Sequence, residues 1–113
     1  MIEQVRPRDL ATWIARHHGD KPPIVLDVRE PTEWRTASVT PRDFTLLPMS
    51  MGSVPARLHD LDPHTPVACL CHHGGRSMQV AQFLIGQGFT QVANIAGGID
   101  AWAVELDTSI PRY

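Results

Sequence analysis

Apolar residues fall along this chain in short blocks, separated by Gly, Pro and charged residues. Ile24-Val25-Leu26-Asp27-Val28 follows two prolines and is rich in β-branched residues, the composition of a central buried strand with Asp27 near its carboxyl end. Val67-Ala68-Cys69-Leu70-Cys71 has the same character. Ile2 to Val5 predicts a short edge strand, Phe44-Thr45-Leu46-Leu47 another before Pro48, and Gln91-Val92-Ala93-Asn94-Ile95 a fifth. Helical spacing appears at Leu10, Trp13, Ile14 and His17, where Pro7 suits the first turn and Gly19 ends it. Met78, Ala81, Leu84 and Ile85 predict a helix over 77–85, with Gly86 and Gly88 beyond it. Val54, Leu58 and Leu61, with Pro55 at the start, predict a second main helix, and Ile99-Asp100-Ala101-Trp102 opens a last one that ends before Pro111. Arg29 to Trp34 reads as a loop and a brief helical turn, and 35–43 has no clear period. Strands alternating with helices predict one α/β domain over residues 1–113. Its sheet is mostly parallel and covered on both faces, with a functional edge at the carboxyl ends of the strands.

Composition narrows the class. The 113 residues suffice for one core without disulfide staples, and Cys69 and Cys71 lie too close in sequence for an unstrained bridge. With 42% hydrophobic and 19% charged residues and a formal net charge of -2, nothing in the balance points to nucleic acid. The first ten residues lack the apolar core of a signal peptide, and no apolar run approaches the roughly 20 residues of a membrane span, so a cytoplasmic protein without a membrane partner is the expectation.

The candidate chemistry is concentrated in Cys71-His72-His73-Gly74-Gly75-Arg76-Ser77. A thiol at the carboxyl end of a buried parallel strand, followed by two glycines and a helix start, faces backbone N–H groups and the positive end of a helix dipole. That arrangement favours a thiolate nucleophile at Cys71, with a buried inert cysteine as the alternative. Cys69, inside the strand, reads as a core residue, or else as a resolving thiol. His72 and His73 either shape substrate choice or are solvated. A zinc site is not expected, because the cysteines flank a single residue and no second ligand pair is evident. Asp27 and Arg29, at the end of a neighbouring strand, suit a structural ion pair more than direct catalysis. Gly97 and Gly98 suit a tight strand-to-helix turn, and Trp13, Trp34 and Trp102 suit the core, with Trp34 the one to find beside the mouth of the site.

Three stretches resemble the rhodanese-like sulfurtransferases: Leu26-Asp27-Val28-Arg29-Glu30-Pro31 with Glu33-Trp34, the loop from Cys71 to Ser77, and Asn94-Ile95-Ala96-Gly97-Gly98-Ile99-Asp100-Ala101-Trp102. The resemblance implies a rhodanese-like fold with a roughly five-stranded parallel sheet and helices on both faces. It also implies a Cys71 that accepts sulfane sulfur from thiosulfate or a small persulfide, and passes it to a thiol or cyanide. It implies no cofactor and no metal. His72, His73, Gly74, Gly75, Arg76 and Ser77 would form the substrate-binding loop, with loop amides on the outer sulfur, Asp27 and Arg29 in support, and Ser77 capping the helix or donating to the sulfur. Arg76 would attract an anionic donor or turn back to a carboxylate. Related phosphatases and arsenate reductases on this fold have a longer loop between cysteine and arginine, so the short one here suits a single sulfur atom. A non-catalytic interaction module on the same fold is the other reading. The ending from Val104 to Tyr113 resembles the tail of rhodanese domains fused to adenylyltransferases of sulfur-carrier systems, which implies a sulfur-carrier protein among the acceptors. One departure is Thr36-Ala37-Ser38-Val39-Thr40-Pro41-Arg42, where the family often has a Gly-His-Ile-x-Gly-Ala pattern, and altered local packing is expected there.

Overall fold

A computed structural model describes residues 2–113. All of the apolar blocks read as strands form strands: β1 (Glu3–Val5), β2 (Ile24–Asp27), β3 (Thr45–Pro48), β4 (Val67–Leu70) and β5 (Val92–Ile95). They make one sheet in the order β1-β5-β4-β2-β3 with every pairing parallel, so β4 is central and β1 is an edge. The helices are α1 (Leu10–His17), the short α2 (Pro31–Thr36), α3 (Gly75–Gly86) and α4 (Gly98–Glu105). None is long and apolar enough to cross a membrane among the described residues.

The period of two along β4 divides the core. Ala68 and Leu70 face a cluster with Leu10, Trp13 and Ile14 of α1 and Ile99 and Trp102 of α4. Val67, Cys69 and Cys71 face the opposite cluster with Val80, Ala81 and Leu84 of α3. Both cysteines therefore lie on the α3 side. Trp13 and Trp102 are buried, while Trp34 is half-buried and its indole nitrogen has no hydrogen-bond partner among the described residues.

Two expectations are corrected. The second main helix over 54–61 does not form: two 3-10 turns, Met51–Ser53 and Leu58–Asp60, flank irregular turns and are held mostly by bonds such as Val54 N–H to Met51 O and Asp60 N–H to Arg57 O. Val54 and Leu61 are still buried, so the apolar spacing reports burial correctly. A segment this short is marginal as a helix, since few bonds follow the costly first turn, and tight turns bury the same side chains. The second correction concerns α3, whose buried face runs through Ser77, Val80, Ala81 and Leu84, whereas Ile85 is 41% exposed. The rotation turns the Ser77 hydroxyl inward.

The stretch that departs from the family pattern packs Ala37 and Val39 into the α1 and α4 side of the core, and the Ala37 carbonyl accepts a bond from Arg29.

Candidate active site

Cys71 follows β4 directly and is 1% exposed. Its sulfur accepts the Gly74 N–H at 3.0 Å and lies 3.2 Å from Ser77 Oγ. Gly74 reaches inward because it adopts φ 109, a left-handed angle that a side chain resists, and an added Cβ would lie 3.3 Å from the Gly97 nitrogen. The sequence led us to expect several amides at the sulfur, but among the described residues one bonds it. The Gly75, Arg76 and Ser77 N–H groups precede the first bond of α3, Met78 N–H to Gly74 O, and so have no acceptor within the helix.

Asn94 fixes which way the hydroxyl points. Its Nδ2 donates to Gln4 Oε1 at 2.9 Å and to the Gly74 carbonyl at 3.3 Å, which leaves Oδ1 to accept the Ser77 hydroxyl at 2.5 Å. With that proton committed, Ser77 Oγ is the acceptor for a Cys71 S–H, and a Cys71 thiolate gains the hydroxyl proton only by drawing it from Asn94. Asn94 pairs in register with Cys69, and a lone amide inside a four-residue buried strand was the sequence signal for it.

The loop is held from behind by α4. Ile99 N–H donates to the Cys71 carbonyl and Asp100 N–H to the His72 carbonyl, at 2.9 and 3.1 Å. Gly98 makes this approach possible, because a Cβ there would lie 2.4 Å from both carbonyl oxygens. Gly97 and Gly98 thus serve as the expected turn.

Asp27 and Arg29 form the expected ion pair. Arg29, 0% exposed, donates from Nη2 and Nε to the two Asp27 oxygens at 2.7 and 2.9 Å, and also to the Glu33 and Ala37 carbonyls and the Tyr113 hydroxyl. Burial opposes its charge, but hydrogen bonds to Asp27 and Tyr113 outweigh that and raise its pKa. Arg76 turns back to a carboxylate: its two terminal nitrogens donate to Glu33 at 2.7 and 3.0 Å. The Arg76 bond, opposed by burial, brings the Glu33 carboxyl down to about 2, and Glu33 holds Arg76 above the usual guanidinium range. Sequence reading left Glu33 within one quoted stretch and Tyr113 within the ending, and missed their contact across 80 positions.

His72 is stacked between His73 and Tyr113, with ring centroids 3.9 Å away on each side. Burial, then the neighbouring His73, lowers its pKa, which favours the neutral ring. His72, His73 and Asp100 bring ligand atoms within 4.8 Å of one another, and the Asp100 carboxylate already accepts bonds from two Arg112 nitrogens. Cys69 is 0% exposed, and burial followed by the charge of Cys71 pushes its thiol up to about 12. A cleft of about 630 Å³ between α1, the 40–44 segment and the end of α4 shares no residue with the loop.

A cysteine set between the end of a central parallel strand and a glycine-led helix is the frame on which comparison with known proteins bears. The rhodanese-like domain profile matches residues 10–105. The chain belongs to the rhodanese-like domain family. It is 43% identical to the rhodanese-like/PpiC domain-containing protein 12, chloroplastic, of Arabidopsis thaliana, over 79% of this chain and 30% of that protein. It is 29% identical to the adenylyltransferase and sulfurtransferase MOCS3-1 of Zea mays, over 82% of this chain and 20% of that protein. The chain thus spans less than a third of the length of either relative. Among solved structures, a rhodanese-related protein of Thermoplasma volcanium aligns with a TM-score of 0.72 at 26% identity, covering 92% of this chain and 93% of the other. A rhodanese-like domain protein of Staphylococcus aureus aligns with a TM-score of 0.72 at 22% identity over 99% of both chains, a likeness of fold.

Proposed function

We propose that the protein is a sulfurtransferase in which Cys71 carries sulfane sulfur as a persulfide between a small donor and a thiophilic acceptor. The observation that carries the reading is the Gly74 N–H aimed at Cys71 Sγ, in a rhodanese-like loop whose next amides are free of helical partners. A Cys71 thiolate attacks the outer sulfur of the donor, the donor's S–S bond breaks, and its electron pair leaves with sulfite from thiosulfate or with a thiolate from a persulfide. The new outer sulfur accepts the hydrogen bonds that the amides of Gly75 and Arg76 have to offer, as in an oxyanion hole. Attack on that sulfur by a thiolate or cyanide returns Cys71 as a thiolate. A sulfur-carrier protein is one acceptor class that suits the chain's likeness to proteins named as sulfurtransferases.

Intact mass spectrometry after treatment with a sulfane donor tests this. A gain of one sulfur atom, removed by dithiothreitol or cyanide and absent in Cys71→Ser, is expected. The near-complete burial of Cys71 favours a second reading, a rhodanese-like module that binds a partner without chemistry. No adduct with any sulfane donor would establish that reading over the first.

A further inference from the structure

The charges around the loop are matched in pairs. Arg76 is the only Lys or Arg between Cys71 and Ser77, and it is bidentate on Glu33. Each Glu33 oxygen accepts a second bond, Oε1 from the Glu30 N–H at 3.0 Å and Oε2 from the Tyr113 hydroxyl at 2.8 Å. Tyr113 is itself held by Arg29 and by stacking on His72, so the carboxylate is clamped and not merely adjacent. Arg29 is committed to Asp27, Arg112 to Asp100, and His73 lies 4.0 Å from the same Asp100 carboxylate.

We propose that Glu33, clamped by Tyr113, neutralises Arg76 and thereby makes the site select thiol persulfides over dianionic donors of the thiosulfate type. This rests on the persulfide reading of Cys71 and names its donor class. Thiosulfate would bring two negative charges to a thiolate, and its S–S bond breaks to release sulfite, again a dianion. The guanidiniums of Arg76, Arg29 and Arg112 are already paired and wait for neither, and like charges repel most where water is thin. A persulfide R–S–S–H asks for less. The Cys71 thiolate bonds to the terminal sulfur, the S–S bond breaks, R–S leaves with the electron pair as a thiolate, and the proton stays on the transferred sulfur. One negative charge is present throughout.

The test follows the rate of sulfur loading on Cys71 by intact mass, with thiosulfate and with the persulfide of 2-mercaptoethanol at equal concentration and low salt. The wild type should load from the persulfide at least about tenfold faster. Glu33→Gln, which keeps the side-chain length and an acceptor for the Glu30 amide, should shift the ratio of rates toward thiosulfate by about tenfold. Adding Arg76→Gln should cancel that shift, because the guanidinium it released is gone. Tyr113→Phe removes one hydroxyl and should shift the ratio the same way by less, which keeps the test decisive if Glu33→Gln weakens the fold. Equal loading from both donors in the wild type, or a ratio unmoved in both variants, overturns the donor-class inference alone. Loading from neither donor overturns the transferase reading and this inference with it.

Discussion

Cys69 and Cys71 share a face of β4 and nearly the same burial, and the hydrogen bonding of the sulfur separates them. With its thiol pushed up to about 12, Cys69 stays protonated at neutral pH. Cys69→Ser should leave the sulfur adduct on Cys71 intact while destabilising the fold by about 1–3 kcal/mol, the cost of burying a hydroxyl without a dedicated acceptor. Mass spectrometry beside urea unfolding reads both, and loss of the adduct would instead give Cys69 a part in the chemistry. Arg29 offers a second contrast. Arg29→Met leaves the Asp27 carboxylate, 2% exposed, without its cation, and should cost about 3–5 kcal/mol in thermal or urea unfolding. Arg29→Lys should recover little of it, since an ammonium cannot serve Asp27, Ala37 and Tyr113 from one planar fork. Asp27 and Arg29 were legible as partners because they sit two apart at a strand end. The link between Glu33 and Tyr113 was not, because no periodicity spans a contact made only by tertiary folding.

At the scale of elements, strands were the most readable part of the chain: β2, β4 and β5 are buried along nearly their whole length and therefore carry apolar runs interrupted only by Asp27 and Asn94. Helices were less so. The Val54 to Leu61 spacing satisfied a helical template, but a succession of tight turns can bury the same side chains over so short a stretch. In α3 the polar Ser77 was left off the apolar stripe, although its face is the buried one because Asn94 satisfies it. Glycine replacements test how firmly the elements meet. Gly98→Ala would drive a methyl into the carbonyls of Cys71 and His72 and should cost at least about 3 kcal/mol, combining left-handed strain with the clash. Gly86→Ala, at the end of α3 with open space around the added Cβ, should be neutral or stabilise by about 0.5–1 kcal/mol. Similar melting temperatures for the two variants would contradict the close approach of α4 to the loop.

For the molecule as a whole, acid should be the sensitive direction. Glu33 titrates at about 2 in the folded chain against an ordinary value of 4.5, so its contribution is fully present above about pH 5 and is lost as pH falls from 4.5 toward 2. Asp100, Glu105 and Asp107 are lowered as well, by bonds from Arg112, Arg6 and Ser109 respectively, and add to the same trend. The stability difference between wild type and Glu33→Gln, followed by thermal unfolding, should therefore shrink across that window. A difference that persists at about pH 2 would mean that the ion pair is not its source.

The grip of α4 on the loop has one more effect. A trans peptide points its N–H opposite its C=O. With the Cys71 and His72 carbonyls anchored to the first turn of α4, the amides of His72 and His73 cannot reverse direction unless that helix terminus comes apart. The two peptides that follow the nucleophile are thus fixed from outside the loop, so the strand end that carries Cys71 is a rigid mount, and any adjustment to a larger occupant falls to the residues beyond His73.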